Sequence, residues 1–119
     1  MTSPSILVIE DEQYLRSLYV EILCDYMIES AKDGFEALNK DKKYDLYIVD
    51  IGLPGINGLE TIEKLKEIHG NIKTIVATGY DVVKYSKEFN DVHVNGVLQK
   101  PFKVSDLMKL VKKVLAEGV

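Results

Sequence analysis

Glu10-Asp11-Glu12 follows one short aliphatic run of this sequence, Asp50 ends a second, Thr78 ends a third and Lys100 follows a fourth. Carboxylates brought together repel and raise at least one pKa unless a cation neutralises them. An all-oxygen set without His or Cys suits Mg2+, which prefers octahedral oxygen coordination at about 2.0–2.1 Å and keeps several of its waters. Asp11 and Asp50 would be its direct protein ligands. An Asp carboxylate can also act as a nucleophile toward phosphorus, giving an aspartyl phosphate. Phosphoryl transfer asks a protein mainly for positioning and for neutralising charge on the peripheral oxygens. A metal ion, a hydroxyl and an ammonium around one Asp are therefore a sufficient set, and this one predicts phosphorylation of Asp50. Taken singly, each residue has a plainer reading: a solvated acidic cluster at a helix start, a turn former, a strand-end hydroxyl, a surface lysine. Only convergence at one edge of a fold gives them chemistry.

The elements that must produce that convergence are short and alternate in type. Ile6 to Ile9 is an aliphatic run with β-branched members, suited to a strand buried on both faces. Leu15, Leu18, Tyr19, Ile22 and Leu23 then repeat at helical spacing, and Met27 to Ala31 supplies a second strand. Asp33-Gly34 opens a short helix directing Phe35, Ala37 and Leu38 inward, and Leu46 to Val49 is a third strand ending at Asp50. The Gly- and Pro-rich stretch from Gly52 to Gly58 is a loop, and Asn57 with Glu60 three residues later starts a helix carrying Leu59, Ile62, Leu65 and Ile68. Lys73 to Ala77 and Val94 to Gln99 are the fourth and fifth strands, with a helix over Asp81 to Phe89 between them. Ser105 caps a last helix with the stripe Leu107, Leu110, Val111, Val114 and Leu115. Strict strand–helix alternation with right-handed crossovers predicts a doubly wound α/β domain: a five-stranded parallel sheet covered on both faces, filling residues 1–119 as one unit. In strand order 2-1-3-4-5, Asp11 and Asp50 sit on neighbouring strands, with Thr78 and Lys100 following along the same rim, where such sheets bind ligands.

Composition excludes several alternatives. Fifteen Lys and Arg against nineteen Asp and Glu leave a net charge of −4, so no positive field awaits nucleic acid or an anionic membrane surface. No apolar run approaches the roughly 20 residues of a membrane span, and the start of the chain lacks a secretory signal. The expectation is a cytoplasmic protein. Cys24 is the only cysteine, which excludes an internal disulfide, and its place at the end of a helical stripe predicts burial. His69 and His93 lack metal-ligand spacing.

The segments ILVIEDE (6–12), AKDGFEAL (31–38), DLYIVDIGLPGINGLE (45–60), IVATG (75–79) and LQKPF (98–102), in this order and spacing, resemble the receiver domain of two-component response regulators, of the chemotaxis-regulator, CheY-like type with a flavodoxin-like fold. The resemblance implies a phosphoacceptor rather than a turnover enzyme. Asp50 receives the phosphoryl group, with Mg2+ (or Mn2+) held by Asp11, Asp50 and the backbone carbonyl of Gly52, and with Glu10 acting through water. Thr78 and Lys100 bind phosphoryl oxygens, and Lys100-Pro101 matches the family's cis peptide. It also implies a sensor histidine kinase or a histidine phosphotransfer protein as donor, and a downstream protein bound by the face made of helix four, strand five and helix five. A monomer or weak dimer without an attached output domain is expected. It leaves open a phosphorelay intermediate or a receiver cut from a larger regulator or hybrid kinase.

Departures from the family pattern fall on rate and switching. Glu10 stands where Asp is commonest. Gly52 offers no side chain to orient water, Tyr80 beyond Gly79 could shield the acyl phosphate, and Val97 replaces the usual aromatic switch residue. A haloacid-dehalogenase-like phosphatase would want a second Asp at position 52, where this chain has Gly, and no P-loop supports a nucleotide switch. A scaffold without phosphorylation would not need the acceptor, metal and lysine positions together.

Overall fold

The computed structural model describes residues 3–79 and 86–117. Five parallel strands, β1 (Ser5–Ile9), β2 (Met27–Ala31), β3 (Leu46–Asp50), β4 (Thr74–Thr78) and β5 (Gly96–Gln99), form one sheet in the order β2-β1-β3-β4-β5. The helices between and after them are α1 (Gln13–Ile22), α2 (Gly34–Leu38), α3 (Gly58–His69), α4 (Ser86–Val92) and α5 (Val104–Ala116). The expected fold class and strand order are those observed. Among the described residues no helix is long and apolar enough to cross a membrane.

Strand alternation divides the core into two layers, because successive side chains leave opposite faces of a sheet. Leu7, Ile9, Tyr47, Val49 and Val76 pack with Ala37 of α2 and with Ile62 and Leu65 of α3. On the other face Ile6, Val8, Leu46, Ile48, Ile75 and Leu98 pack with Tyr19 of α1 and with Leu107, Val111 and Val114 of α5. Burial on both faces explains why β1 and β3 read as unbroken apolar runs.

Two helix starts follow the expected local chemistry. The Asn57 side chain accepts from the Glu60 amide at 2.9 Å and donates back to the Glu60 carboxylate at 2.9 Å, while Asp33 accepts from the Glu36 amide at 2.8 Å. Others differ. The backbone of α5 begins bonding at the Lys103 carbonyl, which accepts from the Asp106 and Leu107 amides, so Ser105 lies inside the first turn instead of capping it. Helix α4 runs on to Val92, past the expected end at Phe89, and residues 80–85 at the start of that expected helix lie outside the described residues. Ile68 is 59% exposed, since three steps of three residues from Leu59 rotate it half a turn around the helix. Cys24 is exposed, because α1 ends at Ile22 and the cysteine falls in the turn that follows.

Phe35 is 55% exposed, contrary to its expected place in the core, because the short α2 points Ala37 inward and leaves Phe35 over Gly55. Gly55 has φ +77°, and a Cβ there would stand 2.7 Å from the Phe35 ring. Gly58 is tighter still: a Cβ would lie 2.3 Å from the Asp50 carbonyl oxygen and 2.8 Å from the Ile51 Cα, both backbone atoms with no freedom to move aside. Gly58→Ala is therefore expected to lower stability by about 2–3 kcal/mol in urea denaturation. It should also weaken any binding that depends on Asp50, as the clash is with that residue's own carbonyl.

Candidate metal and phosphoryl site

The alternation that builds the second core layer also builds the site. Continuing Ile6-Val8 by two residues gives Glu10, continuing Leu46-Ile48 gives Asp50, and continuing Leu98 gives Lys100. All three occupy the carboxyl ends of their strands on the α1–α5 side of the sheet. The pocket is the polar cap of that layer.

Lys100 Nζ lies 2.8 Å from Glu10 Oε1 and 3.4 Å from Asp50 Oδ1. Its backbone is fixed by donation from its amide to the Thr78 carbonyl at 2.8 Å, and the peptide to Pro101 is cis, as expected. Glu10 is only 2% exposed, and its other oxygen accepts from the Glu12 amide at 3.1 Å. Burial, the neighbouring Asp11 and the charge of Asp50 push the Glu10 carboxyl above the usual carboxylate range, against the pull of Lys100 and the Glu12 amide. Burial alone would lower the Lys100 pKa, but Glu10 and Asp50 outweigh it and hold the ammonium charged.

Glu10, Asp11 and Asp50 can each bring a carboxylate oxygen within 4.8 Å of the others. Among the described residues Lys100 is the cation paired with these carboxylates, one ammonium against three acidic groups. The donors are hard oxygens, with neither histidine in the cluster, so the set fits a divalent cation such as Mg2+. Asp11, exposed at the rim, leaves the entry side open to solvent. The Glu10 carboxylate, expected to act on the metal through water, is in this structure the partner of Lys100.

Gly52 is exposed in the loop after β3 and donates its amide to Asp50 Oδ1 at 3.4 Å. Thr78 is fully buried and shares the parity of Val76, which packs in the α2–α3 layer, so its side chain starts from the opposite face of the sheet to Asp50. Val97, half-buried, packs against that same layer. Gly79 follows Thr78 at the end of β4, and Tyr80 lies outside the described residues. Sequence reading missed Arg16. Its Nη1 donates to the carbonyls of Glu10 at 2.8 Å and Asp11 at 2.9 Å, tying the first turn of α1 to the acidic loop. The signal was available as an Arg five residues beyond an acidic pair, but its target is backbone, which carries no sequence signature.

Comparison with known proteins agrees with this geometry. The chain is 29% identical over 119 residues to sporulation initiation phosphotransferase F of Bacillus subtilis, covering 97% of this chain and 96% of that protein. It is 33% identical over 115 residues to the response regulator ArlR of Staphylococcus aureus (strain Mu50), covering 92% of this chain but 52% of ArlR, so it spans about half of that longer relative. Among solved structures, the response regulator TrrA of Thermotoga maritima in complex with Mg2+-BeF is 35% identical with a TM-score of 0.82, covering 96% of this chain and 99% of TrrA. A CheY-like receiver domain protein of Methanospirillum hungatei JF-1 is 27% identical with a TM-score of 0.89, covering 96% of this chain and 94% of that one. The response regulator receiver domain family matches residues 6–112, and with that match on top of the sheet order and the acidic pocket, the chain belongs to the receiver domains of response regulators.

Proposed function

We propose that this receiver accepts a phosphoryl group on Asp50 in a reaction requiring Mg2+, and that the modification changes which partner it binds. The observation that supports this most is the Lys100 ammonium placed between Glu10 and Asp50 at the rim where Asp11 completes a three-carboxylate cluster. A donor protein, a sensor histidine kinase or a histidine phosphotransfer protein, presents phosphohistidine. An Asp50 carboxylate oxygen attacks phosphorus, the P–N bond breaks, and the imidazole leaves and takes up a proton. Lys100 neutralises one peripheral oxygen, and Thr78 donates to another after turning from its own face of the sheet. Asp11, Asp50 and the Gly52 carbonyl, with Glu10 acting through water, would hold Mg2+, which when bound would supply the remaining charge neutralisation. The chain is a phosphoacceptor that assists its own modification, with no turnover of a substrate pool.

The receiver either binds a target or passes the phosphoryl group onward. The switching face is α4–β5–α5, and the working place is the cytoplasm. Incubation with acetyl phosphate and Mg2+, read by intact mass, should give one phosphoryl adduct that chelation abolishes, and Asp11→Asn should slow its formation at least about tenfold. An adduct formed equally well in excess EDTA would remove the metal from the scheme. At the switch, Val97→Phe restores an aromatic in the layer shared with Thr78, and it should change partner affinity more than phosphorylation rate. The reverse ordering would show that Val97 is not where output is set.

A further inference from the structure

The phenol of Tyr19 is 1% exposed, and among the described residues its hydroxyl has no hydrogen-bond partner. Buried hydroxyls are nearly always satisfied, so this group calls for a reason. Tyr19 belongs to the core layer whose strands end in Glu10, Asp50 and Lys100, so it lies beneath the pocket, not beside it. Its ring packs against Phe102, two residues beyond Lys100, with centroids 5.7 Å apart. Its phenol is held well above the ordinary pKa, first by burial and then by the negative charges of Glu10 and Asp50. At rest the two Glu10 oxygens are engaged, one by the Glu12 amide and one by Lys100.

We infer that Tyr19 is a positioning residue for the phosphorylated state: when Lys100 turns from Glu10 to a phosphoryl oxygen, the Tyr19 hydroxyl donates to the Glu10 oxygen that Lys100 vacates. The inference rests on the phosphoacceptor reading above. A carboxylate this buried cannot be left without a donor cheaply, and a neutral hydroxyl waiting in an apolar layer supplies one without adding charge at rest. Tyr19 thereby offsets the cost of releasing Lys100, on the face of the sheet opposite to Val97.

The test is Tyr19→Phe, which keeps the ring and removes one oxygen. Resting stability should be unchanged or slightly higher, because an unsatisfied buried hydroxyl is lost. Affinity for beryllofluoride in saturating Mg2+, followed by 19F NMR, should be about tenfold weaker, the scale of one hydrogen bond to a charged group. In a Glu10→Gln background, which leaves no charge behind when Lys100 departs, Tyr19→Phe should have no further effect on that affinity. Equal loss of stability in resting and beryllofluoride-bound protein, or unchanged beryllofluoride affinity, would overturn the role of Tyr19 alone. A wild-type protein that ignores beryllofluoride would overturn the phosphoacceptor reading, and this one with it.

Discussion

Asp50→Asn will leave a folded protein that takes up phosphoryl groups from acetyl phosphate at least about a thousandfold more slowly, because the amide retains the shape of the acceptor without its nucleophilic oxygen. The same substitution makes a second, independent mark. Asp50 is one of the charges holding the Glu10 carboxyl high, so in the variant the Glu10 pKa should move down toward the ordinary range. Carbon-detected NMR titration of the Glu10 side chain would show it. A Glu10 pKa that does not move would mean that the two carboxylates are farther apart in solution than the shared Lys100 implies.

The second large effect concerns Lys100. Lys100→Met retains the aliphatic stem and removes the ammonium that, among the described residues, pairs with Glu10, whose side chain is 3% exposed. Metal-free stability should fall by about 2 kcal/mol, less than a fully buried pair because the Lys100 side chain is 25% exposed. Affinity for Mg2+ should rise, since the ion then meets three carboxylates without competition from the Lys100 ammonium, and saturating Mg2+ should restore part of the lost stability. Phosphorylation should nevertheless slow, because the neutralising group for one phosphoryl oxygen is gone. Denaturation with and without Mg2+ separates these terms. An equal loss of stability in both conditions would assign Lys100 a packing role without an electrostatic one.

Both predictions depend on features that the sequence displayed unevenly. Strand segments were legible because burial on both faces leaves unbroken aliphatic runs, and the alternation within them already implied that Glu10, Asp50 and Lys100 continue one face. Local helix-start chemistry at Asp33 and Asn57 was legible for the same reason: cap and target lie within three residues. Errors gathered where a long-range contact decides. Phe35 looked apolar enough for the core, yet its neighbour is Gly55 on another loop, and only the fold reveals that the ring covers a residue of positive φ. Cys24 followed the helical stripe of α1, but the helix had already ended.

The Glu10–Lys100 pair joins residues 90 apart in sequence, and no periodicity encodes it. Thr78 was rightly placed at a strand end on the same rim as Asp50, but a list of strand ends does not show that its parity starts its side chain from the other face of the sheet.

The most direct measurement is chemical. The protein is incubated with acetyl phosphate and Mg2+, reduced with borohydride to convert any acyl phosphate to an alcohol, and mapped by tandem mass spectrometry. The account predicts homoserine at position 50, formed only when Mg2+ is present. Reduction at another carboxylate, or at Asp50 regardless of metal, would contradict it.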